Sequence, residues 1–174
     1  MYWRKAGMLG AVLAGGVVLA GLFNVGLSYT NRTEFCISCH SMRWNAAEWQ
    51  ESAHFMNHAG VRIGCANCHV PKAFLPKMKA KILAAKDVWH EILGTIDTKE
   101  KFEARRLEMA QRVWARLKAS DSRECRTCHS WEAMELDEQD RVARKKHARA
   151  REEGKTCIDC HKGVTHELPE EGET

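Results

Sequence analysis

The cysteines of this 174-residue chain fall into four copies of one pentapeptide, Cys-x-x-Cys-His. Two cysteines at this spacing can each form a thioether with one vinyl group of a haem, and the adjoining histidine then becomes an axial ligand of the iron. Zinc ribbons and thiol redox sites also use Cys-x-x-Cys pairs, but they give no reason for a histidine directly after every pair. The motifs therefore predict four haem c groups. The copies are Cys36–His40, Cys65–His69, Cys125–His129 and Cys157–His161, and they contain all eight cysteines.

The motifs also predict the covalent and proximal ligands of each haem. The thioether residues are Cys36, Cys39, Cys65, Cys68, Cys125, Cys128, Cys157 and Cys160. The proximal ligands of the second, third and fourth motifs are His69, His129 and His161. For the first motif the choice stays open between His40 and Met42, because the motif continues as Ser41-Met42 and offers a thioether sulfur. A Met-ligated or five-coordinate iron would differ in potential from bis-histidine irons, because axial ligands tune haem over about 0.8 V.

Five histidines lie outside the motifs and are candidates for the second axial position. They are His54, His58, His90, His147 and His166. His54 and His147 occupy matched places in the two halves of the chain, and His166 could reach a neighbouring haem. We therefore predict these three as distal ligands. His90 is a further candidate, either as a distal ligand or as a proton-handling group.

An internal duplication organises the part of the chain that carries the motifs. Each half contains two motifs with a histidine at a matched place between them, which predicts haem pairs in residues 28–72 and 120–168. A helical connector is expected over residues 73–119, with Pro76 in its first turn and Gly94 as a stop between two helices. Asp97 with Glu100 resembles a capping box for the second helix.

No stretch alternates convincingly as a strand, so the fold class is mostly α, with much irregular loop and with haem as the core. The two helices of the connector each carry an apolar stripe at spacings of three and four residues, which is expected to pack on porphyrin or on the other helices. The stripes are Met78, Ile82, Ala85, Trp89 and Ile92, and then Phe102, Met109, Val113, Trp114 and Leu117.

The N-terminal segment predicts a membrane anchor. Residues 1–5 carry Arg4 and Lys5, and residues 6–27 form a run of 22 residues without a charge. At a rise of about 1.5 Å per residue the run spans roughly 33 Å, enough for a hydrocarbon core of about 30 Å. A cleaved signal peptide usually has an apolar region of about 7–15 residues and a small-residue cleavage site, and neither is present. The positive-inside rule then leaves residues 1–5 in the cytoplasm and residues 28–174 outside, which in a bacterium is the periplasm.

The chain also carries five longer motifs, which are Cys36–Met42, the stretch from Ser52-Ala53-His54 to Cys65, Gly94–Thr98, Lys101–Arg106 and Cys157–Gly163. These motifs resemble the NapC/NirT family of membrane-anchored multihaem cytochromes c, which includes the NrfH subunits of nitrite reductases. The resemblance implies a quinol dehydrogenase of the bacterial inner membrane with a quinol site beside the first haem. Carried over to this chain, the acidic and basic residues of that site are Asp87 and Lys81, beside Met42. NapC members often have another histidine shortly after the second motif, where this chain has Lys72.

The resemblance also implies the partners. The electron donor would be menaquinol or ubiquinol, and the acceptor a periplasmic reductase of the nitrate or nitrite respiration type, or a soluble cytochrome. We expect contact with membrane lipid, and glycines in the anchor could allow a homo-oligomer. We expect no nucleic-acid partner. The alternative hypothesis is a passive electron-transfer cytochrome that docks to another quinol-oxidising complex and has no substrate site of its own.

Overall fold

The computed structural model describes residues 2–170, and the described chain is built from helices without a strand. The predicted α class is confirmed. Two single turns of 3₁₀ helix, His40–Met42 and Leu136–Glu138, lie between the α-helices. The α-helices are α1 (Tyr2–Tyr29), α2 (Thr33–Cys36), α3 (Arg43–Glu51), α4 (Cys65–His69), α5 (Phe74–Ile92), α6 (Lys99–Ala119), α7 (Arg123–Arg126), α8 (Arg141–Glu152) and α9 (Cys157–Cys160).

Helix α1 is long and apolar enough to cross a membrane, with a mean hydropathy of 2.1 and none of its most apolar window buried against the rest of the chain. It extends beyond the predicted span of residues 6–27 at both ends. Of the ranges predicted around it, residue 1 of the range 1–5 and residues 171–174 of the range 28–174 lie outside the described residues.

The connector region contains α5 and α6. Pro76 lies in the first turn of α5, where backbone N–H groups have no carbonyl partner within the helix, so the missing N–H of proline costs no hydrogen bond. Gly94 ends this helix with φ +61°, a conformation that a residue with a Cβ adopts at a cost. The predicted capping box is wrong by one residue. Thr98 caps α6, its hydroxyl accepting from the Lys101 N–H at 3.4 Å, whereas Asp97 pairs with the Lys101 ammonium at 2.7 Å.

The apolar core of the polypeptide is small. Among the described residues, the buried apolar side chains are Trp49, Phe102, Leu117 and Ile158. Phe102 and Leu117 belong to the predicted stripe of α6, and Phe102 packs against Trp44 with ring centroids 5.1 Å apart. The stripe of α5 does not pack on polypeptide in the same way, since Ile82 and Trp89 are 74% and 58% exposed. Porphyrin packing for this stripe therefore stays a prediction.

The four motifs follow one another in space in the order of the sequence. Helix α2, which ends in the first motif, contacts α4, and α4 contacts α7, which enters the third motif. Helix α9 of the fourth motif packs on α6. Its Ile158 N–H donates a buried hydrogen bond of 3.1 Å to Ser122 Oγ, in the turn just before α7.

Candidate haem sites

The Cys-x-x-Cys pairs of the second and fourth motifs lie within the short helices α4 and α9, which bring side chains three residues apart to one side. In the first and third motifs the first cysteine lies in α2 or α7, and the second cysteine follows in the adjoining turn or bend. The residue before the second cysteine is polar in all four motifs, and its side chain bonds to the backbone three residues earlier. This local capping holds the turns, and we did not predict it from the sequence. The bonds are Ser38 Oγ to Phe35 O, Gly64 N to Asn67 Oδ1, Thr127 Oγ1 to Glu124 O, and Thr156 N to Asp159 Oδ2.

The fourth motif has the strongest of these caps. The Asp159 carboxylate accepts from the Lys118 ammonium at 2.7 Å and from both the N–H and the hydroxyl of Thr156. These bonds lower the pKa of Asp159 to about 2. The carboxylate is therefore charged at neutral pH and ties the fourth motif to α6.

Three histidine pairs lie across the candidate haem sites. His54 lies against His129, His166 against His69 and His147 against His161, with ring centroids 6.4, 6.2 and 5.7 Å apart. In the third pair the two Nε2 atoms are 3.4 Å apart, which is shorter than the roughly 4 Å between two nitrogens that each bind one iron at about 2 Å. Two imidazoles that bind one iron from opposite sides, each at about 2 Å, have their ring centres about 6 Å apart. The centroid distances of the three pairs are thus close to those of two axial imidazoles of a haem.

Polar atoms of these histidines also fit ligand roles. The Nδ1 atoms of His54 and His166 are buried without a hydrogen-bond partner in the part of the chain that the structure describes. His147 Nδ1 lies 2.6 Å from Gln139 Oε1, a contact that fixes the orientation of the ring and leaves Nε2 for a metal. Burial, the Arg116 guanidinium and His166 lower the pKa of His69 to about 4, so this imidazole is neutral, the form that binds iron.

Glu48 supports the second of these pairs from α3. Its Oε1 accepts from the Arg106 guanidinium at 2.6 Å, and its Oε2 accepts from the Glu167 N–H at 3.2 Å. The same Oε2 lies 3.4 Å from His166 Nδ1, longer than a good hydrogen bond but close enough for a charge interaction. Arg106 is itself buried and also pairs with Glu103 at 2.5 Å. Neither Glu48 nor Arg106 was predicted as part of a site, although Arg106 is in one of the motifs quoted above.

The first motif differs from the other three. Its His40 is outside the three histidine pairs found in residues 2–170. Instead, its backbone N–H donates to Glu91 Oε1 at 2.9 Å, and the Ser41 hydroxyl donates to the other oxygen of the same carboxylate. Met42 is half-buried, with its sulfur 4.0 Å from the amide nitrogen of Asn45. Glu91 was missed by the sequence reasoning; the available signal was its position one helical turn after Asp87.

Helix α5 joins this motif to the end of the membrane helix. The Lys81 ammonium donates to the carbonyl oxygen of Thr30 at 2.9 Å and to its hydroxyl at 2.7 Å. Burial lowers the pKa of Lys81, and Lys77 adds to this effect. Asp87 is exposed and, in the described chain, forms no hydrogen bond or ion pair. It shares the face of Glu91, since residues four apart are neighbours on a helix. Lys81 and Asp87 are thus not in contact with each other.

His90, the remaining candidate ligand, is not brought to a motif histidine. Its Nδ1 lies 3.0 Å from the hydroxyl of Thr95, in the turn between α5 and α6. This contact gives His90 a local role at the end of α5. The distal-ligand and proton-handling roles of His90 stay predictions.

Comparison with known proteins gives the family. The chain matches the family model of the NapC/NirT cytochrome c family, N-terminal region, over residues 2–171. It is 55% identical to a putative tetraheme cytochrome-c type protein of Allochromatium vinosum, over 94% of this chain and 89% of that protein. It is 53% identical to the denitrification system component NirT of Stutzerimonas stutzeri, over 97% and 84%. It is 48% identical to the cytochrome c-type protein NapC of Escherichia coli strain K12, over 97% and 88%.

A solved structure has the same fold. It is the crystal structure of the cytochrome c nitrite reductase NrfHA complex bound to the HQNO inhibitor, with a TM-score of 0.51 and 28% identity over 91% of this chain and 89% of that chain. The prosthetic group implied by the motifs, haem c, agrees with these relatives and with the histidine spacing. The chain therefore belongs to the NapC/NirT cytochrome c family.

Proposed function

We propose that this protein holds four haem c groups, three of them between two histidines. The pairs His129 with His54, His69 with His166, and His161 with His147 would supply the six axial ligands, as the ring spacings of about 6 Å support. The first motif would bind its haem through His40 or Met42 without a second histidine. Haem c, when bound, supplies one-electron transfer. The contacts from α2 to α4, from α4 to α7 and from Ile158 to Ser122 support electron movement from the first motif to the fourth.

The electron donor that we propose is a membrane quinol, menaquinol or ubiquinol, oxidised beside the first motif. The observation that carries this proposal is the position of α5, which is bonded to the membrane helix through Lys81 and Thr30 and to the first motif through Glu91 and His40. A quinol entering from the bilayer would meet the membrane-side part of α5 first.

Side chains on α5 have the chemistry that this oxidation requires. Oxidation of a quinol to a quinone releases two electrons and two protons. Asp87 is exposed on the same face as Glu91 and can accept a proton from a quinol hydroxyl. Lys81 can donate a hydrogen bond to a quinol oxygen, and its bonds to Thr30 hold it at the end of the membrane helix.

The electron acceptor that we propose is a periplasmic reductase of nitrate or nitrite respiration, or a soluble cytochrome. Membrane anchoring by α1, with Arg4 and Lys5 at its start, supports a periplasmic location for the haem domain. The likeness to a nitrite reductase complex and to a denitrification component supports a respiratory reductase as partner.

Asp87→Asn tests the quinol site. We expect the purified holoprotein in detergent to oxidise a quinol analogue, and the variant to lose about 10²- to 10⁴-fold in rate, the usual contribution of a positioned proton acceptor. Reduction by dithionite should be unchanged. Asp137→Asn is the control, because Asp137 is a 91% exposed carboxylate in the 3₁₀ turn near α8. A wild-type protein that cannot oxidise quinol without another complex would favour the passive cytochrome instead.

Electron paramagnetic resonance of the oxidised holoprotein tests the ligands separately. Three low-spin bis-histidine signals and one different signal are expected. Four bis-histidine signals would contradict the proposed ligand set of the first motif.

A further inference from the structure

An open cavity of about 300 Å³ lies beside the second motif and is also lined by Asn31, two residues after α1. Its walls include Asn31, Asn67, Pro71, Lys72 and Lys77. The lining also includes Ala66, which with Asn67 lies between the two cysteines of the second motif, but no cysteine or histidine. The volume is at the lower end of the range of small-ligand sites, about 300–1,000 Å³.

The cavity lies next to the C-terminal end of the apolar helix α1. Asn31 follows α1 by two residues, and Tyr29, the last residue of α1, is an aromatic of the kind enriched at membrane interfaces. Lys77 lies one helical turn before Lys81, whose ammonium binds Thr30 at the end of the same membrane helix. A group that enters this cavity from the bilayer would be a headgroup rather than an acyl chain.

The charge of the cavity selects an anion. Lys72 and Lys77 form no ion pair and no side-chain hydrogen bond with any residue from 2 to 170, so their positive charges have no protein counterion there. Asn67 adds a hydrogen-bond donor, because its amide oxygen already accepts from the Gly64 N–H at 3.0 Å and leaves the NH₂ group. Two ammonium groups and an amide NH₂ match the oxygens of a phosphate.

We propose that this cavity binds the phosphodiester of an acidic phospholipid, with Lys72 and Lys77 as its cationic ligands. Inorganic phosphate has the same chemistry, but the position at the outer end of α1 favours a lipid. Because α4 is the second motif and α5 carries Lys81, the bound headgroup would hold both elements against the membrane surface. The site does not depend on quinol oxidation and would exist equally in a passive cytochrome.

Lipid retention by the full-length holoprotein tests the site. Delipidated protein in a non-ionic detergent is titrated with phosphatidylglycerol, with phosphatidylcholine and with inorganic phosphate, and bound molecules are counted by native mass spectrometry. We expect one phosphatidylglycerol to be retained, with affinity about 30-fold weaker in the Lys72→Gln/Lys77→Gln double variant, since each lysine near an anionic headgroup contributes about fivefold. The matched control is Lys145→Gln/Lys146→Gln on α8, which removes the same charge from exposed positions away from the cavity and should leave retention unchanged.

Three results would overturn the proposal. They are equal retention by the double variant and the wild type, equal retention of phosphatidylcholine, and displacement of the lipid by equimolar inorganic phosphate, which would indicate a site for free anions. The visible haem spectrum verifies that each variant is folded. If the double variant fails to incorporate haem, the single variants, each with an expected loss of about fivefold, decide the question.

Discussion

Replacing Glu48 by Gln tests the buried network that we expect to hold the histidine pair of the second motif. The substitution keeps the shape of the side chain but removes its charge. Glu48 and Arg106 are 10% and 9% exposed at the side chain, so the pair is shielded from water, and their bond is 2.6 Å long. The neutral amide would leave Arg106 with Glu103, which is 40% exposed, as its only charged partner in the described network.

The expected cost follows from this arrangement. Removal of one partner from a buried ion pair costs about 3–5 kcal/mol when the other charge is left alone. Because Glu103 still pairs with Arg106, and Gln can still accept from the Glu167 N–H, we expect a smaller loss of about 2 kcal/mol in the free energy of unfolding. For a chain of this size, that corresponds to a fall of roughly 4–8 °C in Tm.

The assay is thermal unfolding of the holoprotein, followed by the haem absorbance, together with a redox titration. The redox titration measures a second expected effect, on the potential of a haem. Glu48 Oε2 lies 3.4 Å from His166 Nδ1, and a nearby carboxylate makes an imidazole a stronger electron donor to the iron. We therefore expect the midpoint potential of one haem to rise. Glu108→Gln is the matched control, since Glu108 and Arg112 form an exposed pair at 3.6 Å that should contribute little. Equal Tm values for the two variants would refute the reasoning.

Three further substitutions test local features of the fold. Ser122→Ala leaves the buried N–H of Ile158 without an acceptor, so the free energy of unfolding should fall by about 1–3 kcal/mol in denaturant titrations. An unchanged rate of hydrogen exchange at the Ile158 amide would contradict this prediction. Gly94→Ala should lower stability by about 1 kcal/mol or more in the same titrations, because φ is +61° and a Cβ would lie 2.8 Å from Asp97 Oδ2. The N–H groups in the first turn of α8 lower the pKa of Asp140, so the Asp140 carboxylate caps α8 fully above about pH 4 and loses this role as the pH falls through the lowered pKa. In wild-type protein we expect helicity to fall over this acidic range, and in Asp140→Ala this part of the pH dependence should be absent.

The chemistry of this protein could be predicted from local patterns. The Cys-x-x-Cys-His spacing depends on neighbouring residues only, so it indicates haem attachment without any knowledge of the fold. Two other features also depend only on residues close together in the sequence. They are the long uncharged run of α1 and the apolar spacing of three and four residues in the helices of the connector. The capping residue of α6 was placed one position too early, because Asp97 and Thr98 are both good caps and only the backbone path decides between them.

Contacts between distant residues were beyond the sequence. His54 and His147 occupy equivalent places in the duplicated sequence, yet His147 lies against a motif histidine of its own half and His54 against His129 of the other half. A repeat in the sequence does not specify which neighbouring unit a side chain will face. Glu91 was missed for the same reason, since its contact with His40 joins residues 51 positions apart.

The sequence by itself therefore predicted the haem attachment residues and three distal candidates, and it determined the long apolar helix α1, because covalent spacing and hydrophobic length are properties of short segments. Only the tertiary structure decided which histidines face each other, that His40 lies outside these pairs, and that α5 joins the membrane helix to the first motif. These features depend on how the chain folds back on itself. That path is set by long-range contacts such as Lys81 with Thr30 and Ile158 with Ser122.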